Sequence, residues 1–503
     1  MNKAITITAA AAALSALFVP AVADACTGIY AGRFATTKGT ILLGHTVDSG
    51  AWTKCHRFSV TPRVENVPGR VYRSTRNEFR WALPSTTWKC VSMPRLSSFG
   101  DGGMDSACVN ERGLAVSGTV TGHANKSVVK ADPYNVKSGA GENSLPLLLA
   151  LCCSTSRDAV ELLGKVISER GHFNGEIYMV ADAKEAWYVE VYTGHQWAAV
   201  RMPDDKVASW GNEYMLTSVC LNSSDVRSSP GILDVARKAG TLKEPKDGCW
   251  DLCAAYSIPY SAYNHLRTWY GHRLLAPSSA GEFDVKREYP LFYAPDRKVT
   301  LRDMMELMRS RNEGTKFCPE ETGNKIFRTI GTTKQSSAHV IEIVPSFPAP
   351  LRCTVWAALA NCEHSVFMPL NAAVTAVAPA YAADQTGKPR RDWSIPGHAF
   401  RRLCALSELD RRLYGAAVRS FWRAREDSYF RDYYALLADV ARKWSCEPEK
   451  SRKSLTDWII VEQTRNFSDA NRLFDDLTWQ IIQNNRTKGD GNLKWTPEPF
   501  VVK

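Results

Sequence analysis

A cysteine at position 26 is the residue of this chain best placed to do chemistry. The segment before it, MNKAITITAAAAALSALFVPAVADA, carries a lysine at position 3, then an apolar run, then small residues at Ala23 and Ala25. That order of charge, apolar core and A-x-A ending is the pattern of a secretory signal cut after Ala25. The alternative is a membrane anchor, but the run is weakly apolar and Pro20 interrupts it. Cleavage starts the mature chain at Cys26-Thr27-Gly28. A first-residue cysteine carries a thiol that attacks a carbonyl and, on the same residue, an α-amino group that moves protons. Such an amine has an ordinary pKa of about 7.7–8.0, near working pH, where a general base is most useful. A cysteine inside a chain needs a separate base, such as a histidine. Two other uses of Cys26 stand beside this one. It can be lipidated, although a lipoprotein signal is expected to carry Leu where Ala23 stands, or it can be half of a disulfide.

The elements that must position this cysteine are legible next to it. Residues 26–33 alternate as a short strand, Gly39 marks a turn, and residues 40–46 read as a second apolar strand, as in a hairpin. The second strand runs into Gly44-His45-Thr46-Val47-Asp48. Here the chain resembles the N-terminal-nucleophile (Ntn) hydrolases, and specifically the C69 family of cysteine dipeptidases. Members of that family begin Cys-Thr after processing and carry an Arg-Thr/Asn-x-Asp element at the end of the second strand. The wider group includes bile salt hydrolases and penicillin V acylases. The likeness continues along the chain. Asn110-Glu111-Arg112-Gly113-Leu114 is similar to the family's turn before a strand, and Ala131-Asp132-Pro133-Tyr134 to its Ala-Asp-Pro-Tyr segment. Trp187-Tyr188-Val189-Glu190 and Gly194-His195-Gln196-Trp197 resemble two of its strands. Arg267-Thr268-Trp269 resembles its Arg-x-Trp helix, and Ser337-Ala338-His339 its Ser-His strand.

The resemblance assigns roles. Cys26 is implied as the nucleophile, forming an acyl-enzyme that water hydrolyses. Asp48 matches the aspartate expected to orient the new α-amine, with strand-end capping as its bland alternative. Asn212, in Trp210-Gly211-Asn212-Glu213, matches an asparagine whose amide donates to the oxyanion; a plain turn asparagine is the alternative. His45 stands where the family expects arginine, so a group that titrates near 6.5 replaces a permanent cation. His45→Arg is therefore expected to change the acidic limb of the pH–rate profile, unless His45 simply packs. Thr119, on the strand after the Asn-Glu-x-Gly turn, is the candidate second oxyanion donor. Arg267 binds a substrate carboxylate, or else lies on a helix surface with its stem on Trp269.

The implied fold is α+β, a four-layer αββα Ntn-hydrolase sandwich with a helical C-terminal extension. Strands are expected at 173–181, 187–192 and 196–202, and helices at 145–151 and 157–170, the second with Val160, Leu163 and Val166 on one face. Helices near 231–239 and 301–309 and strands at 338–344, 353–360 and 364–369 follow. Residues 377–392 read as a loop, and from Gly397 onward the chain is almost all helix-forming. The division is a signal over 1–25, the sandwich over 26–376, a helical region over 377–485 and a flexible tail over 486–503.

Composition excludes other classes. Aromatic residues make up 10% of 503, including 15 Trp, so the chain has the material for a large core and is not a disordered protein. The formal charge of +11 is scattered rather than gathered in a stripe, which argues against nucleic acid. No segment after the signal is apolar enough to span a membrane. Of 14 cysteines, Cys249 and Cys253 are one helical turn apart and can bridge only if local geometry allows. No paired CxxC or HExxH occurs, and Cys362-Glu363-His364 is too compressed for zinc, so neither metal nor cofactor is expected. The reading is an exported, bacterial periplasmic cysteine dipeptidase acting on dipeptides or short peptides, with assembly into homo-oligomers left open. The alternatives are an acylase of the bile salt hydrolase or penicillin V acylase type, and a non-catalytic peptide-binding surface protein on the same scaffold.

Overall fold

Apolar runs of strand periodicity fold into two antiparallel sheets that face each other. The computed structural model describes residues 25–49, 55–96, 104–384 and 392–486. Nearly all of the expected signal, and the expected tail beyond Arg486, lie outside the described residues. In chain order the strands of these two sheets are β1 (Ala25–Ala31), β2 (Ile41–Asp48), β3 (Ser59–Thr61), β4 (Cys90–Pro94), β5 (Asp105–Asn110), β6 (Ala115–Thr121) and β7 (Glu176–Ala181). They continue as β8 (Ala186–Val191), β9 (Trp197–Met202), β10 (Val207–Trp210), β11 (Val226–Ser228), β12 (Gln335–Ile343), β13 (Cys353–Leu359) and β14 (Met368–Asn371). One sheet has six strands in the order β10-β1-β2-β12-β13-β14; the other has eight, β11-β9-β8-β7-β6-β5-β4-β3. Strand β1 is thus an inner strand, paired with β2 on one side and β10 on the other.

The sheets are joined by specific contacts as well as by apolar packing. Trp210 of β10 and Tyr188 of β8 meet edge-on with ring centroids 4.9 Å apart. A Cβ on Gly28 would lie 2.3 Å from the Trp210 ring, so the close cover of that ring over β1 requires glycine there. At the β5–β6 turn the Asn110 side-chain oxygen accepts the N–H groups of Arg112 and Leu114 at 3.0 and 3.1 Å. Gly113 completes that turn with φ of +84°, which explains the Asn-Glu-x-Gly pattern physically.

Helices cover both outer faces. On the eight-stranded sheet lie α1 (Leu145–Cys152) and α2 (Ser156–Arg170), whose Leu148, Leu149, Val160 and Leu163 share a core with Val116 and Trp187. On the six-stranded sheet lie α3 (Ala262–Leu275), α4 (Leu301–Arg309), α5 (Pro396–Ser407), α6 (Ala416–Lys443) and α7 (Pro448–Arg486). Helices α2 and α4 both start with a reciprocal capping box, Thr155 with Asp158 and Thr300 with Asp303. Each cap of this kind contributes about 1 kcal/mol. Phe400, Leu403, Trp422, Tyr433 and Leu437 of the last helices enter the same core as Trp356 and Leu370, so they form the fourth layer of the αββα stack. No helix among the described residues is long and apolar enough to cross a membrane.

Several expectations are corrected. The strand expected at 364–369 is β14, Met368–Asn371, because the Asn361–His364 segment turns before it. The strand expected from 173 begins at Glu176, since the backbone of His172 and Phe173 is bonded instead to Gly194 and Ala140. Residues 377–392 include a helical turn, Pro379–Ala382, and residues 385–391 lie outside the described residues. Cys249 is bonded to Cys220 rather than to Cys253, whose thiol donates to the Tyr214 carbonyl at 3.1 Å. The short strands between 59 and 94 and strand β10 have no counterpart in the sequence reading.

Candidate active site

Cys26 is the second residue of β1, opposite Val47, and is 4% exposed. Its side chain shares a face with Gly28, and that face is turned to the second sheet: Trp210, opposite Gly28, meets Tyr188 there. The backbone nitrogen of Cys26 donates to the side-chain oxygen of Asn212 at 3.0 Å. The Asn212 amide nitrogen donates to the Thr121 carbonyl of β6 at 3.0 Å, so this one side chain ties strand β1 to the opposite sheet. The end of Asn212 that faces Cys26 is its acceptor, and Arg267 donates to the same oxygen at 2.8 Å.

Arg267 is fully buried, neither on a helix surface nor open to a substrate carboxylate. Its two terminal nitrogens donate to the Cys26 carbonyl, Thr27 Oγ1, Asn212 Oδ1 and Asn264 Oδ1. Four terminal N–H groups therefore meet four acceptors. Burial, with the nearby Arg328 adding to it, lowers this guanidinium to about 10. Helix α3 supplies the whole brace. Asn264, Arg267 and Thr268 stand at i, i+3 and i+4 on one face. Asn264 donates to the Asn212 carbonyl, and Thr268 accepts the Gly211 N–H and donates to Glu213. That spacing was the available signal for Asn264 and Thr268, which the sequence reading passed over.

Asp48 lies opposite Ala25 at the end of β2, is buried, and is paired with Arg328. Arg328 also donates to the Tyr263 hydroxyl at 2.7 Å and sits over its ring at 5.3 Å. Burial opposes the charge of Arg328, but Asp48 and Tyr263 hold it above its ordinary value. Nothing local marks Arg328 in the sequence; it meets Asp48 across 280 positions.

His45 is fully buried in β2, opposite Gly28 on one side and His339 on the other. The two imidazoles are 5.4 Å apart, and His339 Nε2 is 2.9 Å from Ser117 Oγ of β6. Burial, with His45 and His56 adding to it, pushes the His339 pKa well below 6.5. Thr119 lies at a bulge of β6, where the register with β7 shifts between Gly118 and Val120; its side chain lies outside the described residues. Cys26, Asp48, Asn212, Arg267 and His45 therefore gather at and behind one end of β1.

Elsewhere, Glu363, His364 and Glu408 bring potential ligand atoms within 4.8 Å of one another. Their carboxylates are taken by guanidiniums, Arg311 on both, and Arg411 and Arg419 on Glu363.

The sequence profile described as peptidase family C69 matches residues 25–400. The chain belongs to peptidase family C69 and is a hydrolase acting on peptide bonds. It is 26% identical over 464 residues to a probable dipeptidase B of Streptococcus pyogenes serotype M1, covering 89% of each chain. A probable dipeptidase of Salmonella dublin is 27% identical over 384 residues, 75% of this chain and 87% of that one. One of Latilactobacillus sakei is 26% identical over 473 residues, 91% and 95% of the two. Among solved structures, two variants of a conjugated bile acid hydrolase from Clostridium perfringens align. One has 13% identity and a TM-score of 0.24 over 45% of this chain and 63% of its own. The other has 11% and 0.30, over 63% and 88%.

Proposed function

We propose that this chain is an exported cysteine dipeptidase that works through an acyl-enzyme on Cys26. The observation that carries this is the 3.0 Å contact between the Cys26 nitrogen and Asn212 Oδ1. Cleavage after Ala25 turns that nitrogen into an α-amine already held by an acceptor, with the Asp48 carboxylate on the neighbouring strand. The amine takes the thiol proton, the sulfur attacks the scissile carbonyl, and the amine returns the proton to the departing amino group. Water then hydrolyses the thioester, with the same amine as base. A bulge frees one residue from the ladder, and Thr119 at that position is the proposed oxyanion donor. Arg267 grips the Cys26 carbonyl and so fixes the nucleophile's backbone. The Cys220–Cys249 disulfide supports export, since such bonds persist in oxidising compartments such as the periplasm.

The first test is the intact mass and N-terminal sequence of protein recovered from the periplasm, with Ala-Ala and glycocholate assayed as substrates. A start at unmodified Cys26, with Ala-Ala cleavage that Cys26→Ala abolishes, is the expected result. A different start, a lipidated or disulfide-bonded Cys26, or a preference for glycocholate sinks the dipeptidase reading.

A further inference from the structure

A cavity of about 480 Å³ opens beside the Asp48–Arg328 pair. Arg328, Tyr263 and Phe327 form part of its wall, together with Lys325, Ile326 and Lys334. Strand register ties this cavity to the nucleophile. Lys334 directly precedes β12, whose first residue, Gln335, lies opposite Asp48, which in turn lies opposite Ala25. The Lys334 carbonyl accepts the Ser49 N–H at 2.8 Å, which fixes its backbone at this end of the sheet. Two strand spacings put Gln335 about 10 Å from residue 25. One extended residue of substrate, at about 3.5 Å, and a lysine side chain bridge that span.

The charges of the wall do not balance. Its two carboxylates, Glu320 and Glu408, are both engaged by Arg311, and Glu408 also by His364. Arg328 is committed to Asp48, and Arg411 to Glu313 and Glu363. Among the described residues, no ion pair or hydrogen bond engages the ammonium of Lys325 or of Lys334. Beside these two cations stand apolar groups that water reaches: Ile326 is 72% exposed and Tyr263 41%. An uncompensated cation next to open apolar surface in a concave site suits a ligand with a carboxylate and an apolar side chain. Of the two lysines, Lys334 is the one anchored through its backbone beside Asp48.

We infer that this cavity is the leaving-group side of the active site, and that Lys334 reads the free carboxylate of a dipeptide whose second residue is apolar. This rests on the dipeptidase reading above. It also supplies a reason for cleaving dipeptides rather than longer chains: a third residue replaces the carboxylate with a neutral amide at the place where Lys334 waits. Arg328 keeps Asp48 neutralised, so the incoming carboxylate meets net positive charge.

The test compares Ala-Leu with Ala-Leu amide in the full-length processed enzyme and in Lys334→Met. The ratio of kcat/KM for the acid to that for the amide is expected to fall at least tenfold in the variant, through KM. A ratio that stays put overturns the assignment, as does an equal loss on both substrates. Binding of the same two ligands is measured calorimetrically to Cys26→Ala with and without Lys334→Met. If the wild type cleaves no dipeptide, yet Ala-Leu binds in a Lys334-dependent way, the catalytic reading falls and the pocket stands. If Ala-Leu binds equally with Met at position 334, or not at all, the pocket falls.

Discussion

The side-chain oxygen of Asn212 accepts the backbone N–H of Cys26, while its amide nitrogen reaches across to the Thr121 carbonyl of the facing sheet. A single carboxamide thus sets both the orientation of the proposed nucleophile's nitrogen and the spacing of the two sheets beside it. Asn212→Leu removes both contacts and leaves a buried N–H and carbonyl to be desolvated. The expected outcome is a fall in kcat of about two orders of magnitude, with stability lower by about 2–3 kcal/mol. Steady-state kinetics and urea denaturation on the same preparation check it; unchanged kcat defeats the positioning role.

Arg267→Lys is expected to be far from conservative. The guanidinium serves four acceptors from a planar fork, whereas an ammonium has three donors around one point. Burial already holds Arg267 at about 10, below its ordinary value, and a lysine in the same place meets that desolvation with poorer geometry. A loss of about 3 kcal/mol in denaturant midpoint analysis, together with a kcat reduced at least tenfold, is the anticipated result.

Asp48 and Arg328 form a buried pair, and breaking one side leaves an uncompensated charge. Asp48→Asn alone should cost about 3–5 kcal/mol. Asp48→Asn combined with Arg328→Met should recover most of that loss while activity stays low, because the carboxylate beside residue 25 is still missing. A double-mutant cycle in stability, run beside kcat, separates the two contributions. Recovery of activity in the double variant would show Asp48 to be structural only.

The buried histidines make a pH prediction. Burial and neighbouring charge hold the pKa of His339, and of His56, well below 6.5. The unfolded chain therefore takes up protons that the folded chain refuses, so these groups cost stability increasingly as the pH falls below about 6.5. Glu190, raised to about 7, and Asp105, raised to about 6, both chiefly by burial, act in the opposite sense: they favour the folded state at low pH and lose that contribution as the pH rises. The difference between wild type and His339→Gln isolates the histidine. At pH 5 the variant should gain up to about 2 kcal/mol relative to its standing at pH 7.5, since each pH unit is worth about 1.4 kcal/mol. Parallel stability curves across that range would contradict the assignment.

How much of this was legible in the sequence follows from the range of the interactions involved. Strand β1, strand β2 and helices α2 and α4 announce themselves through local periodicity, caps and turn residues, and Gly113 marks its turn by a conformation only glycine enters easily. Cys26, Asp48 and Asn212 were visible as residues. The direction in which Asn212 points was not, because it depends on Arg267 from helix α3 and Thr121 from the other sheet. Arg267 sits among apolar and polar helix residues with no strong amphipathic pattern, so its full burial could not be read from spacing. Arg328 is an arginine in a connecting segment, distinguished only by meeting Asp48 in space. The three-residue strand β3 is too short for a period-2 signal, and strand β10 carries only four residues before the turn at Gly211.

Strand β1 lies inside its sheet, with neighbours on both sides, and Ala25 contributes only the last cross-strand pair, with Asp48. Severing the chain between Ala25 and Cys26 therefore removes one rung of the β1–β2 ladder, while the pairing of residues 26–31 with β2 and of residues 28–31 with β10 continues to hold the new terminus. The proposed maturation, on this geometry, is a subtraction rather than a rearrangement: one cut frees the Cys26 nitrogen that Asn212 already holds.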